Sequence, residues 1–207
     1  FEGRKLFVAG NHDVWTFPGE DSLDKLERVI PEICREAGFH PLDAEPTVID
    51  GVGIVGTMGW YDFSFRLSDL EVPLRFYQAK IAPGAAERFP EHQDLLAESE
   101  DVPAAAMEIG TRWMDGQHVR LPMSDFEFSH YLLDRFRDHL DQAARRSERI
   151  VVGMHHLAFW EIVPEIPDPS RAFATAYMGS EMFGEAILTE PKVCYAFFGH
   201  SHRPLRR

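Results

Sequence analysis

Three short stretches of this chain place side chains with ligand and proton-transfer chemistry directly after apolar runs. Leu6, Phe7 and Val8 lead through Ala9 and Gly10 into Asn11, His12 and Asp13. Ile150, Val151, Val152 and Gly153 lead to His155 and His156, and Val193 to Phe198 lead into Gly199, His200, Ser201 and His202. Each stretch reads as a buried strand ending in a polar loop, so three strands aim imidazoles at one edge. An amide oxygen, an imidazole and a carboxylate in succession are unlike ordinary turn composition, and neutral imidazole is a common ligand of first-row metals. The bland readings are a turn with Asp13 capping a following helix, a hydrogen-bonded structural histidine at 155 or 156, and a chance histidine pair at 200 and 202. The joint occurrence of three such endings favours metal chemistry. In extended backbone His200 and His202 project to the same side, whereas the adjacent His155 and His156 cannot. Position favours His155, the first to emerge, as a ligand, with His156 behind it or facing a substrate.

Gly10-Asn11-His12-Asp13, His155 and Gly199-His200-Ser201-His202 stand in the order of the G-N-H-D/E, strand-end His and G-H-x-H motifs of the calcineurin-like metallophosphoesterases. The chain resembles that superfamily over nearly its whole length. The D-x-H and G-D-x-x-D motifs that precede these in the superfamily are not found in the sequence. The resemblance implies an α/β fold, a four-layer α-β-β-α sandwich of two mixed sheets flanked by helices, lacking its first strands here. The native polypeptide is accordingly expected to extend upstream of Phe1 by a few tens of residues that carry the two motifs.

The resemblance also implies a cofactor of two divalent metal ions, with Asn11, His155 and His200 as ligands of one and His202 as a ligand of the other. His12 becomes the proton donor to the leaving oxygen and Asp13 the residue that orients its ring. So rich an imidazole set suits Mn, Fe or Zn better than magnesium. The implied activity is hydrolysis of a phosphate mono- or diester by metal-activated water. The alternative is a catalytically inactive metal-binding relic or binding module of the same fold.

The elements that must position these residues are legible from periodicity. Ser22 to Ala37 has helical spacing at Leu23, Leu26, Val29, Ile30, Ile33 and Ala37, with Pro31 as an interruption and Gly38 as a stop. Thr47 to Met58 reads as a hairpin turning at Asp50-Gly51. Ser124 to Arg146 predicts a helix opened by a Ser-Asp-Phe-Glu capping box, with Phe128, Leu132, Leu133, Phe136 and Leu140 on one stripe. The strand Ile150 to Val152 follows, then a helix over Glu181 to Leu188 before the last strand. Residues 1–207 form a single domain in which about 59–123, punctuated by prolines and rich in aromatics, is a cap-like insertion of short helices over the strand ends. Within it Asp62, His92 and His118, and beyond it His130, have no ligand spacing and read as solvated. Arg66, Arg75, Arg112 and Arg120 read as surface charges or ion-pair partners.

A hydrophobic content of 44% over 207 residues suits a packed globular core. The net charge of -13 makes nucleic acid an unlikely partner, because phosphate backbones reward clustered Lys and Arg. The partner is expected to be a small phosphoester. No apolar stretch approaches the roughly 20 residues that span a bilayer, so no membrane association is expected. The two cysteines, Cys34 and Cys194, lie in apolar settings and read as free buried thiols in a cytoplasmic protein.

Overall fold

A computed structural model describes residues 3–97 and 99–204. It is a mixed α/β structure with two sheets. Strands β1 (Lys5–Phe7) and β2 (Phe39–Pro41) pair in parallel, and β3 (Thr47–Ile49), β4 (Val52–Thr57), β5 (Arg149–Met154) and β6 (Val193–Phe198) form a four-stranded sheet in that order. β3 runs antiparallel to β4, while β4, β5 and β6 are parallel. The β3–β4 hairpin turns where the Asp-Gly pair predicts, with φ of 49° at Asp50 and 80° at Gly51, the two positive-φ positions of a type I′ turn.

One face of the larger sheet is covered by the helix Asp125–Ala144, which also touches the helix Glu181–Thr189. Its capping box is formed: the Ser124 hydroxyl accepts from the Glu127 amide at 3.3 Å, and Glu127 accepts from the Ser124 amide at 2.8 Å. Phe128, Leu132, Leu133, Phe136 and Leu140 are buried, and Asp134, Arg137, Asp138, Asp141 and Arg145 are exposed, as the stripe requires. Burying each of those five apolar side chains contributes about 2 kcal/mol, so a charge at any one of them would undock the helix.

The helical region after Ser22 is interrupted upstream of Pro31. Residues Lys25–Val29 form a π-helical stretch, and the Ile30 amide donates to Lys25 O, before α-helix resumes over Ile30–Glu36. Pro31 has no N–H to give to the preceding turn, and the wider turn absorbs the missing bond. The extra residue in that turn rotates the face beyond it. Leu26, Ile30 and Cys34 are buried, while Ile33 and Ala37, placed by spacing on the same stripe, are exposed.

Three expectations are corrected. Leu6 to Val8 is half-buried rather than buried, because β1 is only three residues long and, among the described residues, pairs with β2 alone. Cys194 is exposed, since it lies on the edge strand β6, where Tyr195 and Phe197 are also 65% and 64% exposed. Only Cys34 is a buried free thiol. The third concerns residues 59–123. This segment is a run of short helices in which Trp60, Tyr61, Phe63, Phe65, Phe76 and Tyr77 are fully buried. Most of these rings join the core cluster of the sheet and the long helix, so the segment builds core. No helix among the described residues is long and apolar enough to cross a membrane.

Candidate functional site

The parallel strands end level with one another, Thr57 opposite Met154 and Met154 opposite Phe198. Backbone pairing runs on past those ends: the His155 amide donates to Thr57 O at 3.3 Å, the His156 amide to Met58 O at 3.0 Å, and the Gly199 amide to Met154 O at 3.1 Å. The loop after β1 is tied to the same edge by a buried carboxylate. Asp43 accepts from the Ala9 amide at 2.7 Å and from the Met58 amide. Burial pushes its carboxyl up to about 6, against the pull of those two amides.

These fixings bring three of the anticipated side chains into contact. His155 Nε2 stands 3.1 Å from Asn11 Oδ1 and 3.0 Å from His200 Nδ1. Burial holds both imidazoles neutral, pushing His155 down to about 4 and His200 down to about 3. Each neutral ring carries one nitrogen lone pair and so has ligand capacity. For metal–ligand bonds of roughly 2.0–2.2 Å, ligand atoms at right angles stand about 3 Å apart, so these residues fit a single cation. The same spacing suits one N–H at His155 Nε2 shared between the two acceptors. Among the described residues no group of three or more His, Cys, Asp or Glu side chains could hold a metal; in this trio the third donor is an amide oxygen.

Gly10 sets how closely the loop approaches. A Cβ at this position would lie 2.7 Å from His155 Cε1, inside any real contact distance. The loop then turns into the single 3₁₀ turn Asn11–Val14. Asp13 accepts from the Gly10 amide at 2.8 Å, so its carboxylate braces the loop, and the structure shows no bond from it to His12. His12 is exposed, with its ring 4.1 Å from that of Trp15. It lines the same cavity of about 320 Å³ as His155, His200 and His202.

The backbone at the last loop is not extended. His200 and His202 both adopt left-handed conformations, with φ of 59° and 53°. Such φ values cost a non-glycine residue on the order of 1 kcal/mol each and cluster at functional sites. His200 turns inward to His155, while His202 is exposed on the cavity wall and, among the described residues, makes no hydrogen bond to Asn11, His155 or His200. The expectation that the two rings project to one side from extended backbone is therefore corrected, because the chain curls at both positions.

His156 is fully buried behind His155. Its Nδ1–H donates to Met58 O at 3.0 Å, and its ring packs edge-on to Trp60 and Tyr61 at 5.2 and 5.9 Å. Of the two adjacent histidines, His155 is the one that meets Asn11.

Two functional residues were missed by sequence reasoning, Asp43 and Asp115. Asp115 is buried, and both its oxygens are doubly used. Oδ1 accepts from Asn11 Nδ2 at 3.0 Å and Trp15 Nε1 at 2.7 Å, and Oδ2 from Trp113 Nε1 at 2.7 Å and Tyr61 OH at 3.2 Å. Holding Nδ2 turns the Asn11 amide so that Oδ1 faces His155. The only signal was an aspartate two residues after Trp113 in an aromatic segment, too weak to read alone. His118, taken for a solvated residue, stacks on Trp15 at 4.4 Å, and Arg120 Nη1 donates to Thr16 O at 2.8 Å. Residues 113–120 thus clamp the first loop.

Comparison with protein-family models, with curated proteins and with solved structures finds no match to this chain.

Proposed function

We propose that this chain is a metal-dependent phosphoesterase acting on a small phosphate mono- or diester. The observation that carries the reading is the meeting of Asn11 Oδ1, His155 Nε2 and His200 Nδ1 within 3.0–3.1 Å steps, delivered by three separate strand ends. These three residues would hold one divalent ion, and His202 on the same cavity wall would contribute to a second. A bound divalent ion supplies Lewis acidity toward a phosphoryl oxygen and acidifies water. His12 at the mouth of the cavity gives the proton to the departing oxygen, its ring steadied by Trp15. Asp13 acts on the loop through the Gly10 amide, and Asp115 aims the Asn11 oxygen. Two sheets and flanking helices support the four-layer sandwich that accompanies this reading, and unpaired cysteines support a reducing, cytoplasmic setting.

The test is hydrolysis of p-nitrophenyl phosphate with Mn²⁺, which is expected to fall to background on chelation. Undiminished turnover after exhaustive chelation rules the reading out. His12→Ala is expected to retain metal and lose roughly 10²- to 10⁴-fold in turnover, whereas His155→Ala loses the metal. Equal metal loss in both variants would contradict the roles given.

A second reading, a cation-binding module without turnover, is favoured by one observation. Among the described residues no carboxylate is hydrogen-bonded to the three facing atoms of the trio: Asp13 accepts from the Gly10 amide, and Asp115 meets Asn11 only at its Nδ2. Stoichiometric Mn²⁺ binding with no hydrolysis of any ester would select it.

A further inference from the structure

Beside the imidazole cavity lies a larger one of about 530 Å³, and the two share Asn11, His12 and Trp113 as a common wall. Trp15, Trp113, Met114, Ile166 and Ala174 line the larger cavity, with the exposed Arg171 adding a cation. Its size is that of a small-molecule site.

The two indoles are unusually well fixed. Each gives its N–H to a different oxygen of Asp115, both at 2.7 Å. Trp15 is stacked on His118 with ring centroids 4.4 Å apart, and Trp113 lies parallel to Tyr177 at 4.9 Å with a 2° interplanar angle. Neither ring must be immobilised when a guest arrives, so the ordering cost of binding is already met. Trp15 already has His12 at 4.1 Å and His118 at 4.4 Å against its ring, so the flat wall left to a guest is Trp113, and it rewards a planar ring through dispersion and ring quadrupoles, which a puckered aliphatic ring of equal size does not match.

We propose that this cavity is a leaving-group subsite that takes a planar aromatic group, seated against Trp113 while the phosphoryl group lies at Asn11, His155 and His200. The proposal rests on the phosphoesterase reading for what occupies the imidazole end, and it adds the chemical class of the ester. His12 lies on the shared wall, between the phosphoryl position and the ring, where the bridging ester oxygen would stand.

The test compares benzylphosphonate with cyclohexylmethylphosphonate, non-hydrolysable and matched in reach, by calorimetry on the full chain with Mn²⁺ present. The flat ring is expected to bind roughly threefold to tenfold tighter, the range that one stacked ring supplies. Trp113→Leu should level the two affinities. Because that variant also strips Asp115 of a donor, Ala174→Leu is run beside it, narrowing the cavity without touching Asp115, and should weaken benzylphosphonate severalfold. Equal affinities in the unaltered protein, or a preference that survives both substitutions, overturn the proposal. Turnover of phenyl phosphate, the ester of which benzylphosphonate is the non-hydrolysable isostere, is measured separately. Ring preference without turnover keeps the aromatic subsite and sinks the phosphoesterase, whereas turnover without ring preference does the reverse.

Discussion

Asn11 stands between two polar groupings with opposite hydrogen-bond balance. On its amide nitrogen side is Asp115, one carboxylate with four donors turned to it, every one within 3.2 Å. On its amide oxygen side are His155 and His200, half-buried rings held neutral by desolvation, with the Asn11 oxygen and the two facing nitrogens in steps of 3.1 and 3.0 Å. The first grouping is complete as it stands. The second improves with a cation, which can satisfy several lone pairs at once. The difference separates a residue that holds the site from residues that form it, although both are polar and far apart in sequence.

The largest expected effect breaks the holding side. Asp115→Ala leaves four donors around a void, and with one to two orphaned donors fully desolvated the loss is about 4 kcal/mol, near the ceiling for single substitutions. Urea unfolding measures it. A loss under about 1 kcal/mol would mean that water replaces the carboxylate and that the hub is not structural.

The next effect sharpens the forming side. Mn²⁺ at about a hundred times its dissociation constant should stabilise the chain by about 2.7 kcal/mol. His155→Ala should abolish that gain. A metal-induced rise in thermal midpoint that is equal in both proteins would place the cation elsewhere.

The smallest effect is a slope. His155 and His200 titrate near 4 and 3 in the folded chain, against about 6.5 when unfolded, so below 6.5 the unfolded state binds more protons. Stability therefore falls as pH drops from about 6.5 toward 4, by at most about 1.4 kcal/mol per pH unit for each ring. Asp43 opposes this, because its folded value near 6 means that acidification from 6 to 4 favours the native state. Two rings outweigh one carboxylate, so the net slope follows the histidines, and His155→Ala should flatten it. Chemical denaturation across that pH range, with an unchanged slope in the variant, would contradict the burial account.

What the sequence revealed of this site depended on where the chemistry lay. The meeting of Asn11, His155 and His200 could be anticipated because each follows its own strand within a few residues, so a local pattern carries both the element and the polar side chain at its end. Asp43 and Asp115 could not, since each acts across 34 to 104 residues and resembles any loop aspartate until the fold closes. The curl at His200 and His202 was missed for a related reason, because left-handed backbone at histidine leaves no compositional trace. The strands β5 and β6 and the long helix were plain, as their periodicities are sustained. Cys194 misled because an apolar neighbourhood in sequence says nothing about which strand ends up at a sheet edge.

The contact at Gly10 has a mechanical consequence. With the place of a Cβ only 2.7 Å from the His155 ring, the loop already rests against the imidazole and can swing outward but not inward. The glycine therefore works as an end stop: the gap between the Asn11 oxygen and the histidine nitrogen is gauged by hard contact, and a single added methyl would offset the whole jaw. Attraction draws the parts together, but it is repulsion at this one point that gives the opening its tolerance.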